Sequence, residues 1–368
     1  MLKRGRGGEG RVDRGVIAVT SLLLLYGLVM VYSSSAAFSL RYYDNSFHLF
    51  LRQLIAAVTG IGLLAVLSFY DYHRFFHLDD LLLVGSFLLS LLTVIPLLGG
   101  GDGRWLQLGP FTLQPTELVK FSLIIYLAAT ISRKGEKISS FTEGVLPFVV
   151  VLSVLGIVML SQPDFGMLLL FGAVSMAMLF LSGARISHLA WLGMGSIPLI
   201  YVALRIAPYR LARIVSFLDP YAYDTSSGYQ IVQSLVAIGS GGVIGRGLGA
   251  SRAKLFYLPQ AHNDFIFSIA SEELGLMGAL ALLALFAFFA WRAFQIASHA
   301  SDRFGYLLAF GIGFTISMQT LINLGVALGI LPVTGLTLPF ISNGGSSLVV
   351  TLAMVGTLLN ISKQGGRP

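Results

Sequence analysis

Ten apolar runs, most of them about twenty residues long, leave this chain few ways to fold. Wound as a helix, such a run matches the ~30 Å hydrocarbon core of a bilayer. Inside hydrocarbon only helices and closed barrels satisfy their own backbone. The runs fall at 15–38, 50–69, 78–98, 114–132, 144–161, 164–182, 187–207, 264–292, 304–331 and 342–362. They predict an all-α, polytopic membrane protein with ten transmembrane helices. Only 11% of the 368 residues are charged, against about 25% in soluble domains, and mean hydropathy is +0.82. The basic-then-apolar N-terminus also has the outline of a signal peptide. Its apolar part is long enough to span and no cleavage site stands out, so it reads as a retained first helix. Only Gln162-Pro163 separates 144–161 from 164–182, which demands a tight hairpin or one bent element.

Lys and Arg in the short loops set the orientation. With the N-terminus inside, Lys3, Arg4, Arg6, Arg11, Arg14, Arg74, Arg133, Lys134, Lys137, Arg185, Arg292, Arg303, Lys363 and Arg367 are cytoplasmic. Only Arg41, Arg52 and Arg104 lie in short outer loops. An even number of spans then puts both termini in the cytoplasm, as tails 1–14 and 363–368. Net charge is +7, but the cations are dispersed, so nucleic acid is not a natural partner. Absence of cysteine excludes disulfide and thiolate chemistry.

The whole chain reads as one integral membrane domain with one large insertion, 208–263, between spans seven and eight. The stretch Gly228–Gly278 is polar and Gly-rich in an otherwise apolar chain. Apolar residues at 231, 232, 235, 236 and 238 predict a short amphipathic helix at the interface. Gly239, Gly241, Gly242, Gly245, Gly247 and Gly249 then predict a pliable, open backbone. No Gly-Lys-Ser/Thr closes it and no strand precedes it, so neither phosphate-loop nor dinucleotide fingerprints fit. Three more polar stretches are expected at the same outer face. They are 99–120, the Gln162-Pro163-Asp164 turn, and 332–347 with its two prolines, glycines and hydroxyls. Charges at a membrane edge are costly and mark function or paired structure.

Asp264 stands at the start of an apolar run, where a carboxylate either caps a helix or faces an outer cavity as a general base. His262 is an acid, a ligand or a loop residue, and with no second His or Cys nearby a zinc site is disfavoured. Arg210, Arg213, Arg246, Arg252 and Lys254 either solvate the loop and meet anionic headgroups or clamp a diphosphate. Glu117 and Lys120, three apart, share a helix face as an ion pair or as part of a site. Asp164 has the same two readings, and with Glu117 could hold a divalent cation. Glu273 suits a buried cation as partner. Trp105 reads as an interfacial anchor.

In combination these segments resemble the SEDS family (shape, elongation, division and sporulation), membrane peptidoglycan glycosyltransferases typified by FtsW and RodA. The resemblance rests on Gln114-Pro-Thr-Glu-Leu-Val-Lys120, Gln162-Pro-Asp-Phe-Gly166, Arg213–Pro220, Gly228–Ser234, Ala237–Gly249, Lys254 and Tyr257-Leu-Pro259. It continues through His262-Asn-Asp-Phe-Ile-Phe267 and Leu338–Ser347. Thr116, Asn263 and Asn343 stand where the family usually has Ser, Thr and Tyr. The family's ten helices and large outer loop between the seventh and eighth agree with the spans counted above.

The resemblance implies a reaction: a glycan on undecaprenyl diphosphate is transferred with inversion to the 4-hydroxyl of lipid II, and undecaprenyl diphosphate leaves. By motif position Asp264 is the base. Arg213, Arg246 and Lys254 would meet the diphosphate, and Glu117, Lys120, Asp164, His262, Ser346 and Ser347 would bind substrate. No cofactor is required with certainty. A divalent cation, Mg2+ or Mn2+, is left open, with Glu117 and Asp164 as its candidate ligands. The implied partner is a cognate class B penicillin-binding protein, a transpeptidase, with other divisome or elongasome membrane proteins. Placement in the bacterial cytoplasmic membrane is implied too. Motif details lean toward the FtsW or sporulation type over the RodA type. A lipid II flippase and a non-catalytic scaffold for the transpeptidase are the rival readings.

Overall fold

The computed structural model describes residues 12–95, 99–100, 103–108, 111–222 and 227–365. Most of the expected N-terminal tail and half of the C-terminal one, with Lys3, Arg4, Arg6, Arg11 and Arg367, lie outside them. Twelve α-helices follow in order: α1 Arg14–Tyr43, α2 His48–Phe69, α3 Phe75–Leu92, α4 Pro115–Lys134, α5 Leu146–Ser161 and α6 Phe165–Leu181. Then come α7 Ile186–Ile206, α8 Pro208–Leu218, α9 Ser227–Gly241, α10 Ile266–Ser298, α11 Arg303–Ala327 and α12 Gly345–Gln364.

Among the described residues nine helices are long and apolar enough to cross a membrane, one fewer than the ten spans expected. The tenth, α6, is apolar but has 17 residues, whereas α5 is long enough because the π-helical turn Phe141–Val145 extends it to 21 residues, Phe141–Ser161. The Gln162-Pro163-Asp164 turn holds back the start of α6 to Phe165, and at 1.5 Å per residue α6 rises only ~26 Å. That turn makes α5 and α6 a hairpin rather than one bent helix. The chain is all-α as expected, with one small sheet between α3 and α4. Its antiparallel strands are β1 Gly99–Gly100, β2 Trp105–Leu108 and β3 Phe111–Leu113, in the order β1-β2-β3.

The core lies between α4, α11 and α12. In α12, 83% of the apolar window is buried, against 11% in α7, which touches only α6 and α8 appreciably. α2 lies along α12, α10 along α11 and α3 along α4. Pairs tie one end of the bundle together: Arg292 with Asp13, Arg133 with Asp79, and Tyr72 with Asp302. The sheet, the α5–α6 turn, the N-termini of α4 and α12 and the C-terminus of α11 gather at the other end, held by bonds such as Gln114 N–H to Ser346 Oγ, 3.0 Å.

Residues 208–263 are not an open loop. α8 starts with Pro208 at its first turn, where a missing N–H costs nothing. α9 covers the expected amphipathic segment and packs on α10. The Gly-rich run, expected to be pliable, is instead spliced into a break in α10. Gly275 sits at φ 65°, ψ −165°, interrupting that helix. The amides of Arg246 and Gly247 donate to Glu272 O (3.0 Å) and Glu273 O (2.9 Å) just before the break. Just after it, Leu276 and Met277 N–H donate to Gly242 O (2.9 Å) and Val243 O (3.2 Å). The orphaned groups of two helix ends are thus met by one turn. Close backbone approach forces the glycines: a Cβ on Gly275 would stand 2.3 Å from Gly245 N, and one on Gly245 2.2 Å from Glu273 O.

The same splice buries Glu272 and Glu273 and recruits the cations of its own strand. Lys254 Nζ pairs with Glu273 at 2.7 Å and donates to Gly249 O at 2.7 Å; Ser33 Oγ of α1 donates to Glu273 at 2.7 Å. Glu272 accepts from Arg252 N at 3.0 Å and Ser251 Oγ at 2.5 Å, and pairs with Arg246 at 3.3 Å. Buried carboxylates need such partners, and removing one partner of a buried pair typically costs about 3–5 kcal/mol.

Two outcomes are expected in thermal unfolding of the detergent-solubilised chain. Gly275→Ala loses at least ~1–3 kcal/mol from its left-handed backbone alone, with the clash added, while Gly239→Ala, helical and open on its Cβ side, is neutral or stabilising. Lys254→Met destabilises by about 3–5 kcal/mol, and adding Glu273→Leu recovers most of the loss. No recovery in the double variant would show that Lys254 has a role beyond pairing Glu273.

Candidate functional site

At the end of the bundle that holds the sheet lies a cavity of about 960 Å³. Its wall is assembled from five places: Arg52 and Gln53 of α2, Arg104 and Trp105 of the sheet, Arg213 of α8, Asn263-Asp264 ahead of α10, and 333–350. Gln114 at the start of α4 completes it.

Asp264 does not cap α10. That helix begins at Ile266, the residue before it is Phe265, and no side chain caps it. The turn-rich approach over 258–265 spends the residues a capping geometry would need. Among the described residues the Asp264 carboxylate accepts no hydrogen bond and forms no ion pair. Burial pushes its pKa up to about 6, while the positive charges of Arg213 and Arg104 pull the other way. A half-buried carboxylate with unused lone pairs and a pKa near neutrality is equipped to take a proton.

Arg213 donates to Val333 O at 3.3 Å. Burial and the neighbouring Arg104 lower its pKa, the signature of two guanidiniums held close together. Arg104 itself is fixed by donating to the carbonyls of Gln162 (2.9 Å) and Pro163. With Arg52 on the same wall, the cavity holds a concentrated positive field beside one carboxylate. Arg52 and Arg104, which from sequence speak only to orientation, and Trp105, expected as an interfacial anchor, all line the cavity. The signal that marks them is their scarcity, as two of three cations in the short outer loops.

Ser346 and Ser347 line the cavity as expected, Ser346 donating to Thr112 O (3.3 Å) and Ser347 accepting from Thr337 Oγ1 (3.2 Å). Asn343 lines it as well. Glu117 and Lys120 pair behind the wall, both buried. Lys120 reaches the surface only through Gln319 (3.0 Å), which donates to Thr337 O (2.9 Å). Asp164 caps α6 by accepting from Met167 N (3.4 Å) and takes further bonds from Gln114 and Thr116. Burial raises its pKa.

Four further candidates lie away from the cavity, which Glu117, Lys120 and Asp164 do not line either. Arg246 and Lys254 are held by Glu272 and Glu273, as described above. His262 packs its ring on Phe38 at 4.7 Å, and burial lowers its pKa to about 4, leaving it neutral. Arg210 donates to Ala203 O (3.0 Å) and Leu160 O (2.8 Å), tying α8 to α7 and α5. For a divalent cation the pair Glu117 and Asp164 is a poor fit. One carboxylate is occupied by Lys120 and the other by a helix start, and among the described residues no three potential ligands converge.

Comparison with known proteins follows this geometry. The family model described as "Cell cycle protein", covering FtsW, RodA and SpoVE, matches residues 13–366. The chain is 41% identical over 355 residues to a probable peptidoglycan glycosyltransferase FtsW of Geobacter sulfurreducens, covering 96% of this chain and 95% of that protein. It is 41% identical over 354 residues to stage V sporulation protein E of Bacillus subtilis, covering 95% and 97%. Among solved structures it resembles a chain from a study of how a peptidoglycan synthase complex coordinates polymerization and crosslinking. There the TM-score is 0.79 at 29% identity, over 95% of this chain and 97% of that one. The rod shape determining protein RodA of Thermus thermophilus gives a TM-score of 0.71 at 27% identity, over 97% and 98%. Matched along nearly its whole length by the family model and by both kinds of relative, this polytopic membrane protein belongs to the FtsW, RodA and SpoVE family.

Proposed function

We propose that this protein is a peptidoglycan glycosyltransferase that polymerises lipid II into β-1,4-linked glycan, with Asp264 as its general base. One observation carries the reading: an unpartnered carboxylate faces a large cavity beside two arginines. The names of its relatives support the substrate class. The acceptor 4-hydroxyl of lipid II loses its proton to an Asp264 oxygen as its oxygen bonds to the donor's anomeric carbon. The bond from that carbon to the undecaprenyl diphosphate oxygen breaks on the opposite face, inverting the centre. The leaving group departs as an anion and needs no proton. Arg213 and Arg104, with Arg52, would meet its charge, bidentate donors suiting phosphate oxygens. Ser346, Ser347, Asn343 and Trp105 would contact the sugars. Glu117, Lys120 and Asp164 would hold the wall from behind.

On this reading α6 is the tenth span, both termini are cytoplasmic and the cavity opens on the outer side of the bacterial cytoplasmic membrane. The large insertion then lies outside, between spans seven and eight. A class B penicillin-binding protein would crosslink the product. FtsW-named relatives and the motif details favour a division or sporulation role over elongation.

Polymer formation from labelled lipid II, run on a gel, tests the reading. Asp264→Ala and Asp264→Asn should each lower the rate by roughly 10²–10⁴ with folding intact; normal polymerisation by both would falsify the base assignment. Movement of lipid II across liposomes without polymer would indicate a flippase, and transpeptidase binding with neither activity a scaffold.

The pH dependence has a definite sign. Asp264 must be ionised to act, so the rate falls as pH drops through about 6. Arg104→Ala removes a cation that favours the ionised form, so the acid limb should move to higher pH, by roughly a unit. An unmoved or downward-moved limb would show that Arg104 does not act on this carboxylate.

A further inference from the structure

The backbone that carries Asp264 is held by side chains from elsewhere. Its carbonyl accepts no bond from α10, where the amides of Ser268 and Ile269, the third and fourth residues, donate to Phe265 O at 3.0 and 3.4 Å. Asn323 supplies the missing bond. This residue of α11 is 1% exposed, and its Nδ2 donates to Asp264 O at 2.9 Å and to Leu336 O at 2.8 Å. An asparagine amide has two hydrogens, and both are used. The two residues before Asp264 are tied too: Ser342 Oγ donates to Asn263 O at 2.6 Å, and Asn343 N–H to His262 O at 2.9 Å. Those ties come from the 332–344 connection itself. Among the described residues Asn323 gives the segment its hydrogen bond from another long helix, and the same amide grips that connection at Leu336. Three residues earlier the connection offers Val333 O to Arg213. One amide therefore sets where the carboxylate stands relative to the guanidinium.

We propose that Asn323 is a positioning residue for Asp264, fixing the base against Arg213 through the shared 333–336 strip. The proposal rests on the reading of Asp264 as the base. A displacement of about 1 Å in a reacting group costs on the order of a hundredfold in rate, while substrate contacts made by the rest of the cavity persist.

The test uses the full-length chain in detergent, with labelled lipid II as probe and hydrogen exchange measured in parallel. Asn323→Leu keeps the volume and removes both donors; Asn323→Ser keeps one donor and decides the question if the leucine variant does not fold. The expected result is a kcat lowered about ten- to a hundredfold with KM changed less than about twofold. Exchange should rise over 258–265 and stay unchanged in α4 and α12. An unchanged kcat, a raised KM with kcat intact, or a rise in exchange across the whole bundle would each overturn the proposal. An active Asp264→Asn enzyme would remove the base reading and this proposal together. An inactive Asp264→Asn beside a fully active Asn323→Leu would remove this proposal alone.

Discussion

Backbone amides and carbonyls inside an apolar bundle must find partners within the protein, and the site exists only where this structure meets that demand without helix. A buried backbone group left unpaired costs about as much as a lost hydrogen bond. Among the described residues the backbone leaves helix at the break at Gly275, over the approach to α10 at 258–265, and along the 332–344 connection. Each is closed by a different device. The break is filled by the turn 241–247, whose amides and carbonyls replace the interrupted ladder. The approach is held by Asn323, Ser342 and the Asn343 amide. The connection is pinned to α2 by Gln53, which donates to Ser342 O at 3.0 Å and accepts from Gly344 N at 3.1 Å. The irregular backbone that lines the cavity is thereby as constrained as the helices around it.

Charge is sorted by the same logic. Among the described residues most buried carboxylates pair with a cation, Asp164 is held by hydrogen bonds instead, and Asp264 has neither. Glu117 has Lys120, Glu273 has Lys254, Glu272 has Arg246 and backbone amides, and Asp79 has Arg133. Burial of these carboxylates requires such pairs, so the cations are committed to partners within the protein. Asp264 differs because its neighbours Arg213 and Arg104 are occupied by backbone carbonyls rather than by the carboxylate. Cation and anion are held close without neutralising each other, leaving both able to meet a polar substrate.

Much of this was legible in the sequence. Span lengths, the helical start at Pro115, the α5–α6 hairpin at Gln162-Pro163 and the helix over 230–238 follow from local periodicity and turn chemistry. So does Glu273 as the partner of a buried cation. Illegible were the small sheet, the splice at Gly275 and the separation of Arg246 and Lys254 from the cavity. Glycine spacing says that backbone conformation is free, not whether another strand will occupy the space. A cation three to ten residues from an acid in sequence can belong to a pocket or to a core, and only the path of the chain between them decides.

The sequence by itself determined that this chain lives in a bilayer and holds the motifs of its family. Those conclusions depend on local hydropathy and residue order, which do not change on folding. Tertiary structure alone decided which of the polar residues meet. Asp264, Arg213 and Arg104 come from segments separated by up to 160 residues, and Asn323 reaches Asp264 from a further helix. Their convergence is set by how helices pack and how the breaks between them are sealed, and neither is written in any one stretch.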